Sequence, residues 1–474
     1  MSAAFKFTKL GSLWSGSFVT VGIIYEVVAS YFIWDLFDIQ SIGLSRFIDL
    51  FFILVLKILL ILFIFQISKT INLNNYLRLV FLILNSFFVT NMIDYHSQVG
   101  PLLYREIPVI LSLLIFFQYI IKQDIFSKIL IIFFGPLSCL SIFLSVDRGI
   151  ITNLIIISII TFLLINKEFK TTLIILLSII LSWIFSALFL GNEFKFFLEN
   201  TRIMLSEINQ VGGIIHPIPF SGEKNASRAT KSLFLIAVSI IISLDLCFRK
   251  NNDLFNKNLK IIILFLSISG FLSYGYALGR SDGPHIKSSI GYNLILFFIF
   301  FTYSILKIIE QKISYKIESH KTLVNSIFFI FLIILLFNHL KLNNLTNYKT
   351  RFYNYINHQD EKYLNNQDKL FVKGAKKILK NHDCVQLFSN DVLILYLLKK
   401  SNCTKFYFPI TIGSVKNQKI LLENLKNIDI IIADHDQGHF SPSYRLPIVR
   451  EYISLNYETF YDDGNWKILN RIKN

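Results

Sequence analysis

Apolar runs of about 17–25 residues, the length a helix needs to cross a bilayer, recur along almost the whole chain, and this recurrence constrains the fold most. Ten clear runs lie near 47–67, 76–93, 105–121, 127–145, 149–165, 171–190, 232–248, 259–278, 290–308 and 323–340. An eleventh, near 17–36, is interrupted by Glu26 and Asp35. Hydrophobic residues make up 53% of the chain and charged residues 16%, whereas soluble chains carry about 25% charge. A soluble core of this size cannot hide so much apolar surface, so the bilayer is the expected solvent. The predicted fold class is mainly α: a polytopic transmembrane helical bundle of ten or eleven spans with a small C-terminal α/β domain outside the cytoplasm. Met1 to Leu13 lacks the apolar core of a cleavable leader, so the spans themselves are expected to direct insertion.

The formal net charge of +16 would suggest nucleic acid in a soluble protein. Here it is read as a topology signal instead, and no nucleic-acid partner is expected. Lys69 and Arg78, Lys122 and Lys128, Lys167 and Lys170, Arg249 to Lys260, and Lys312 to Lys321 fall on alternate loops. The positive-inside rule makes those loops cytoplasmic. The other set holds Asp35 and Asp38, Asp94, Asp147, the segment 191–231 and Asp282, and is expected to face outward. The expected location is therefore the inner (cytoplasmic) membrane, multi-pass, with the C-terminal domain periplasmic or extracellular. Two readings fit the start of the chain. Either 17–36 is the first span, or it is an amphipathic helix on the outer surface and a preceding span is missing from this chain start.

The expected domains are 1–340 as the transmembrane unit, 341–370 as a linker and 371–474 as the α/β unit. In the last, strands are predicted at 384–388, 405–408 and 428–433, helices at 390–400 and 416–427, and a closing strand at 466–469. No GxGxxG or P-loop is present, which argues against nucleotide binding there. Cys384 and Cys403 fit either a disulfide in an oxidising compartment or two free buried thiols.

Ionisable groups near bilayer depth are costly and usually have a task. Glu26 lies in an apolar stretch with Asp35 and Asp38 behind it. Such a carboxylate can act as a general base. The loop Met92 to Pro101 carries Asp94 and His96, which can take protons or meet a divalent cation. Arg148, in Ser145 to Gly149, can hold a phosphate by paired hydrogen bonds. The densest stretch, Gly279 to Lys287, offers Arg280, Asp282, His285 and Lys287 between two glycines and a proline, a credible anion site. Lys57, mid-span, is expected to face the bundle interior or a wet cavity.

With these acidic loops, the GRSDGPHI stretch and the α/β unit in view, the chain resembles the bacterial GT-C superfamily of membrane glycosyltransferases. The further elements that carry the resemblance are Asp391 with Tyr396, Phe406-Tyr407-Phe408-Pro409, Gln418 to Leu425, and Asn456-Tyr457-Glu458 with Lys467-Ile468-Leu469. The resemblance implies transfer of a sugar from a polyprenyl-phosphate carrier to a glycan, lipid or protein acceptor, with inversion. It implies a catalytic carboxylate from Glu26, Asp35 or Asp94. Substrate groups would come from His96, Arg148, Arg280, Asp282, His285 and Lys287. Glu26 stands where the superfamily would have Asp, and the first loop has no DxD pair, so no cofactor is fixed and a divalent cation, Mg or Mn, stays open. Two other readings remain: an O-antigen-type polymerase or ligase, and a secondary transporter.

Overall fold

The computed structural model describes residues 1–93, 101–206, 219–222, 226–248, 255–277, 289–312, 360–436 and 441–472, with isolated positions between them. The run at 323–340, apart from residue 330, and most of the segment 341–370 lie outside the described residues. Among those described, eight helices are long and apolar enough to cross a membrane: Ile42–Ser68, Tyr104–Lys122, Ile125–Leu144, Val146–Ile165, Phe169–Leu190, Ala226–Phe248, Lys257–Gly275 and Gly291–Gln311. A further helix of 17 residues, Asn75–Asn91, packs between the first and the last of these. The chain is thus a mainly-α polytopic protein with a small sheet near its C-terminus.

Apolar side chains on facing helices, among them Leu60, Phe63, Phe116, Ile159 and Ile299, make the bundle core. Lys57 is buried within the bundle, 2% exposed. Ser239 Oγ donates to Asn293 Oδ1 at 2.8 Å, the kind of interhelical bond that holds helices together where lipid offers no hydrophobic drive. Phe169–Leu190 leaves Leu181, Phe185, Leu188 and Phe189 more than half exposed. Water would penalise that surface and hydrocarbon would not.

The run at 17–36 is not a continuous span. Its helical part is one π turn, Ile24–Val28, followed by the nine-residue helix Ala29–Phe37. Together residues 24–37, at about 1.5 Å each, cover about 21 Å, short of a hydrocarbon core of about 30 Å. The residues before the turn spend their hydrogen bonds elsewhere: Phe18 N donates to Lys405 O at 2.8 Å, and Val21 O accepts from Val146 N at 2.6 Å. The chain passes so close to the bundle here that a Cβ on Gly22 would collide with the Leu144 carbonyl.

The C-terminal unit has a five-stranded sheet of β1 (Cys384–Phe388), β2 (Ser401–Asn402), β3 (Ile430–Asp434), β4 (Tyr457–Asp462) and β5 (Trp466–Arg471), in the order β2-β1-β3-β5-β4. β1 pairs in parallel with β2 and β3, and β5 runs antiparallel to β3 and β4. Helices Leu393–Leu397 and Val415–Leu425 lie between the parallel strands in sequence. Residues 405–408, expected as a strand, are irregular; the short strand comes earlier, at Ser401–Asn402. The backbone of Lys405 bonds the N-terminal segment instead of a strand, and Pro409 cannot donate to a ladder. The hairpin partner β4 was not foreseen, and the helix Asn366–Ile378 begins inside the segment read as a linker. Cys384 and Cys403 are joined by a disulfide, with Cα atoms 5.0 Å apart.

The first forty residues pack against this sheet unit. Helix Ser2–Leu10 sets Phe5 edge-on to Tyr396, and Lys6 Nζ donates to Thr404 O at 2.8 Å. Trp34 stacks on the same Tyr396, whose hydroxyl donates to Asp360 Oδ2 at 2.6 Å. N-terminal segment, sheet unit and one end of the bundle therefore meet at a single junction.

Candidate functional site

A cavity of about 620 Å³ opens at that junction. Tyr25 and Glu26 reach it from the π turn, Arg46 and Asp49 from the start of Ile42–Ser68, and Tyr104 from the start of Tyr104–Lys122. The sheet unit covers it with Val392, Tyr407 and Phe408.

Glu26 is tightly held. Its Oε1 accepts from Thr20 N at 2.8 Å, from Thr20 Oγ1 at 2.9 Å and from Val21 N. Its Oε2 accepts from the Tyr407 hydroxyl. Burial, and then the Glu26 carboxylate beside it, hold that phenol well above its ordinary range, so Tyr407 remains the donor. The π turn, a local widening that often marks functional sites, carries Glu26 in this wall. Tyr25 lies against Tyr104, with ring centroids 5.5 Å apart, and burial followed by the Asp49 charge raises its pKa.

Behind Tyr104 lies a buried ionic chain. Arg148 Nε pairs with Glu106 Oε1 at 2.9 Å and with Asp147 Oδ2 at 3.7 Å. Tyr292 donates to Glu106 Oε2 at 2.6 Å, and Arg105 reaches Asp147 Oδ2 at 3.5 Å. Glu106 is fully buried and Arg148 is 3% exposed. Charges this deep persist only when paired, and here the pairing ties Val146–Ile165 and Gly291–Gln311 to the start of Tyr104–Lys122.

Across the π turn from the polar cavity is an apolar groove of about 680 Å³, lined by Ile23, Ile24, Phe143, Leu181, Phe185 and Phe189 among others. The turn thus presents Tyr25 and Glu26 to one cavity and Ile23, Ile24 and Val28 to the other.

Of the residues expected from sequence, Glu26 lines the polar cavity. Asp35 is exposed on Ala29–Phe37 and is not among the cavity's lining residues. Arg148 lies in the ionic chain rather than in the cavity wall. Asp94, His96, Arg280, Asp282, His285 and Lys287 lie outside the described residues. The flanks of their two stretches do converge: Ile93 and Leu103 line the cavity, and a Cβ on Gly291 would collide with the Pro101 carbonyl. Sequence reasoning missed Arg46, Asp49, Tyr104, Arg105 and Glu106. The available signal was their position, since each sits in the first turns of an apolar run, where a charge can reach the membrane edge. Among the described residues no group of three or more His, Cys, Asp or Glu side chains could hold a metal ion.

No protein-family model matches the chain, and no curated protein matches it in sequence.

Proposed function

We propose that this protein is a membrane glycosyltransferase that moves a sugar from a polyprenyl-phosphate carrier to a glycan, lipid or protein acceptor on the extracytoplasmic face of the inner membrane. One observation carries the reading: a polar cavity holding two carboxylates and an arginine lies one helical turn from a hydrocarbon-lined groove. That arrangement fits an amphiphile with a charged, sugar-bearing head and an isoprenoid tail. A carboxylate would take the proton of the acceptor hydroxyl, and cationic groups would stabilise the departing phosphate. Arg46 of the wall and Arg105 behind it suit the second role, as do Arg280, His285 and Lys287 by their chemistry.

The proposed orientation has two supports. Lys69, Lys122, Lys167 and Lys257 fall at the bundle end remote from the sheet unit, as the helix order requires, and the positive-inside rule makes that end cytoplasmic. The Cys384–Cys403 bond suits an oxidising compartment.

The test is a transfer assay in washed native membranes that contain the acceptors. A panel of labelled polyprenyl-phosphate sugars is supplied to wild type and to Ser45→Trp, which puts a large side chain into the cavity wall. Transfer in wild type and its loss in Ser45→Trp are expected. Absence of transfer from every donor, with the protein shown to be inserted, overturns the reading.

A further inference from the structure

We propose that Asp49 is the general base of this site and that Glu26 is a latch holding the cavity together, an assignment that rests on the sugar-transfer reading above. Two carboxylates line the polar cavity, and their surroundings differ. A carboxylate has about four lone-pair sites. Those of Glu26 meet four donors: Thr20 N, Thr20 Oγ1, Val21 N and the Tyr407 hydroxyl. These donors come from the N-terminal segment and from the sheet unit, so Glu26 binds one to the other. Its Oε1 is fully taken by three donors and its Oε2 is held by the Tyr407 hydroxyl, so Glu26 is tied into the wall while Asp49 is not.

Asp49 lines the same cavity, half-buried, and makes no hydrogen bond or ion pair among the described residues. The groups facing it are Arg46, one turn earlier on the same helix, the Met1 amino group, which also lines the cavity, and the phenols of Tyr25 and Tyr104. It stands on the third turn of a 27-residue helix. A rigid scaffold of that kind fixes a base better than a loop does. The sequence hid this residue because Asp49 reads as the frayed polar edge of an apolar run.

In the proposed step the acceptor O–H bond breaks and its proton passes to an Asp49 oxygen. The acceptor oxygen forms a bond to the anomeric carbon. The bond from that carbon to the carrier phosphate oxygen breaks, and its electron pair leaves with polyprenyl phosphate. Asp49 then releases the proton to water, so the carboxylate is regenerated and no other reactant is needed.

The experiment compares Asp49→Asn, Asp49→Ala and Glu26→Gln with wild type in the same transfer assay. Membrane yield and formation of the Cys384–Cys403 bond serve as checks of folding. Asp49→Asn is expected to lose about 10²–10⁴-fold in kcat, the usual contribution of a general base. Added formate, small enough to enter the space left in Asp49→Ala, is expected to restore part of that loss. Glu26→Gln still accepts from Thr20 and Val21 and can turn its amide to the Tyr407 oxygen, so its loss is expected to stay below about tenfold. A folded Asp49→Asn that transfers as fast as wild type overturns the assignment alone, as does an inactive but folded Glu26→Gln beside an active Asp49→Asn. A wild type that transfers nothing overturns the functional reading, and this assignment with it.

Discussion

Replacing Lys6 by Met tests how the N-terminal helix is held against the sheet unit, and hence how one wall of the cavity is kept in place. Lys6 is 5% exposed and donates to Thr404 O at 2.8 Å, while Ser2 on the same helix lines the cavity. Burial depresses the Lys6 pKa from 10.5 to about 8. Below pH 8 the amine is charged in both folded and unfolded chains, and the fold bears the full cost of burying it. Between pH 8 and 10.5 the unfolded chain binds the proton and the folded one does not, so stability rises with pH. Above 10.5 both are neutral. The gap of about 2.5 pH units, at about 1.36 kcal/mol each, is worth about 3 kcal/mol. Lys6→Met removes the titration but keeps the length of the side chain. It also gives up the bond to Thr404, a charge-assisted bond worth about 1.5–3 kcal/mol, so near pH 7 the two proteins should be of similar stability. The difference between them should then move by about 3 kcal/mol in favour of wild type from pH 8 to 10.5. Chemical denaturation in mild detergent, followed by tryptophan fluorescence, reads this. Trp34, stacked on Tyr396, reports the same contact. Parallel stability curves for the two proteins across that window would refute the reasoning.

Two further perturbations bear on the frame of the site. Cys403→Ser opens a loop of sequence separation 19 and should cost about 3 kcal/mol on the loop-entropy account; an unchanged denaturation midpoint would show that the bond does not brace the sheet unit. Arg148→Met strands the fully buried Glu106 carboxylate and should cost about 3–5 kcal/mol. Adding Glu106→Gln, which can still accept from Tyr292, should recover most of that loss, and a double variant no more stable than the single one would refute the pairing argument.

The sequence by itself determined the class of the fold. Apolar runs at bilayer length are unambiguous because lipid leaves the backbone no partner but its own helix, and nine of the ten clear runs fall on described helices. It also showed strands at 384–388, as observed, and at 428–433, observed at Ile430–Asp434, where short apolar runs sit between helical ones. Glu26 was legible as a candidate because a lone acid in an apolar stretch stands out.

Only the tertiary structure decided what these parts do together. The run at 17–36 has the hydropathy of a span, yet its backbone bonds are claimed by Lys405 and Val146, partners about 390 and 125 residues away in sequence. Asp49 and Tyr407 are separated by most of the chain and share one cavity wall. Arg148, read from sequence as a phosphate ligand, is paired instead with the buried Glu106, which the sequence did not single out. Periodicity and hydropathy are local quantities, so they fix what each segment is. Which carboxylate is tied down by donors and which is left open depends on contacts between segments far apart in sequence, and those exist only once the chain has folded.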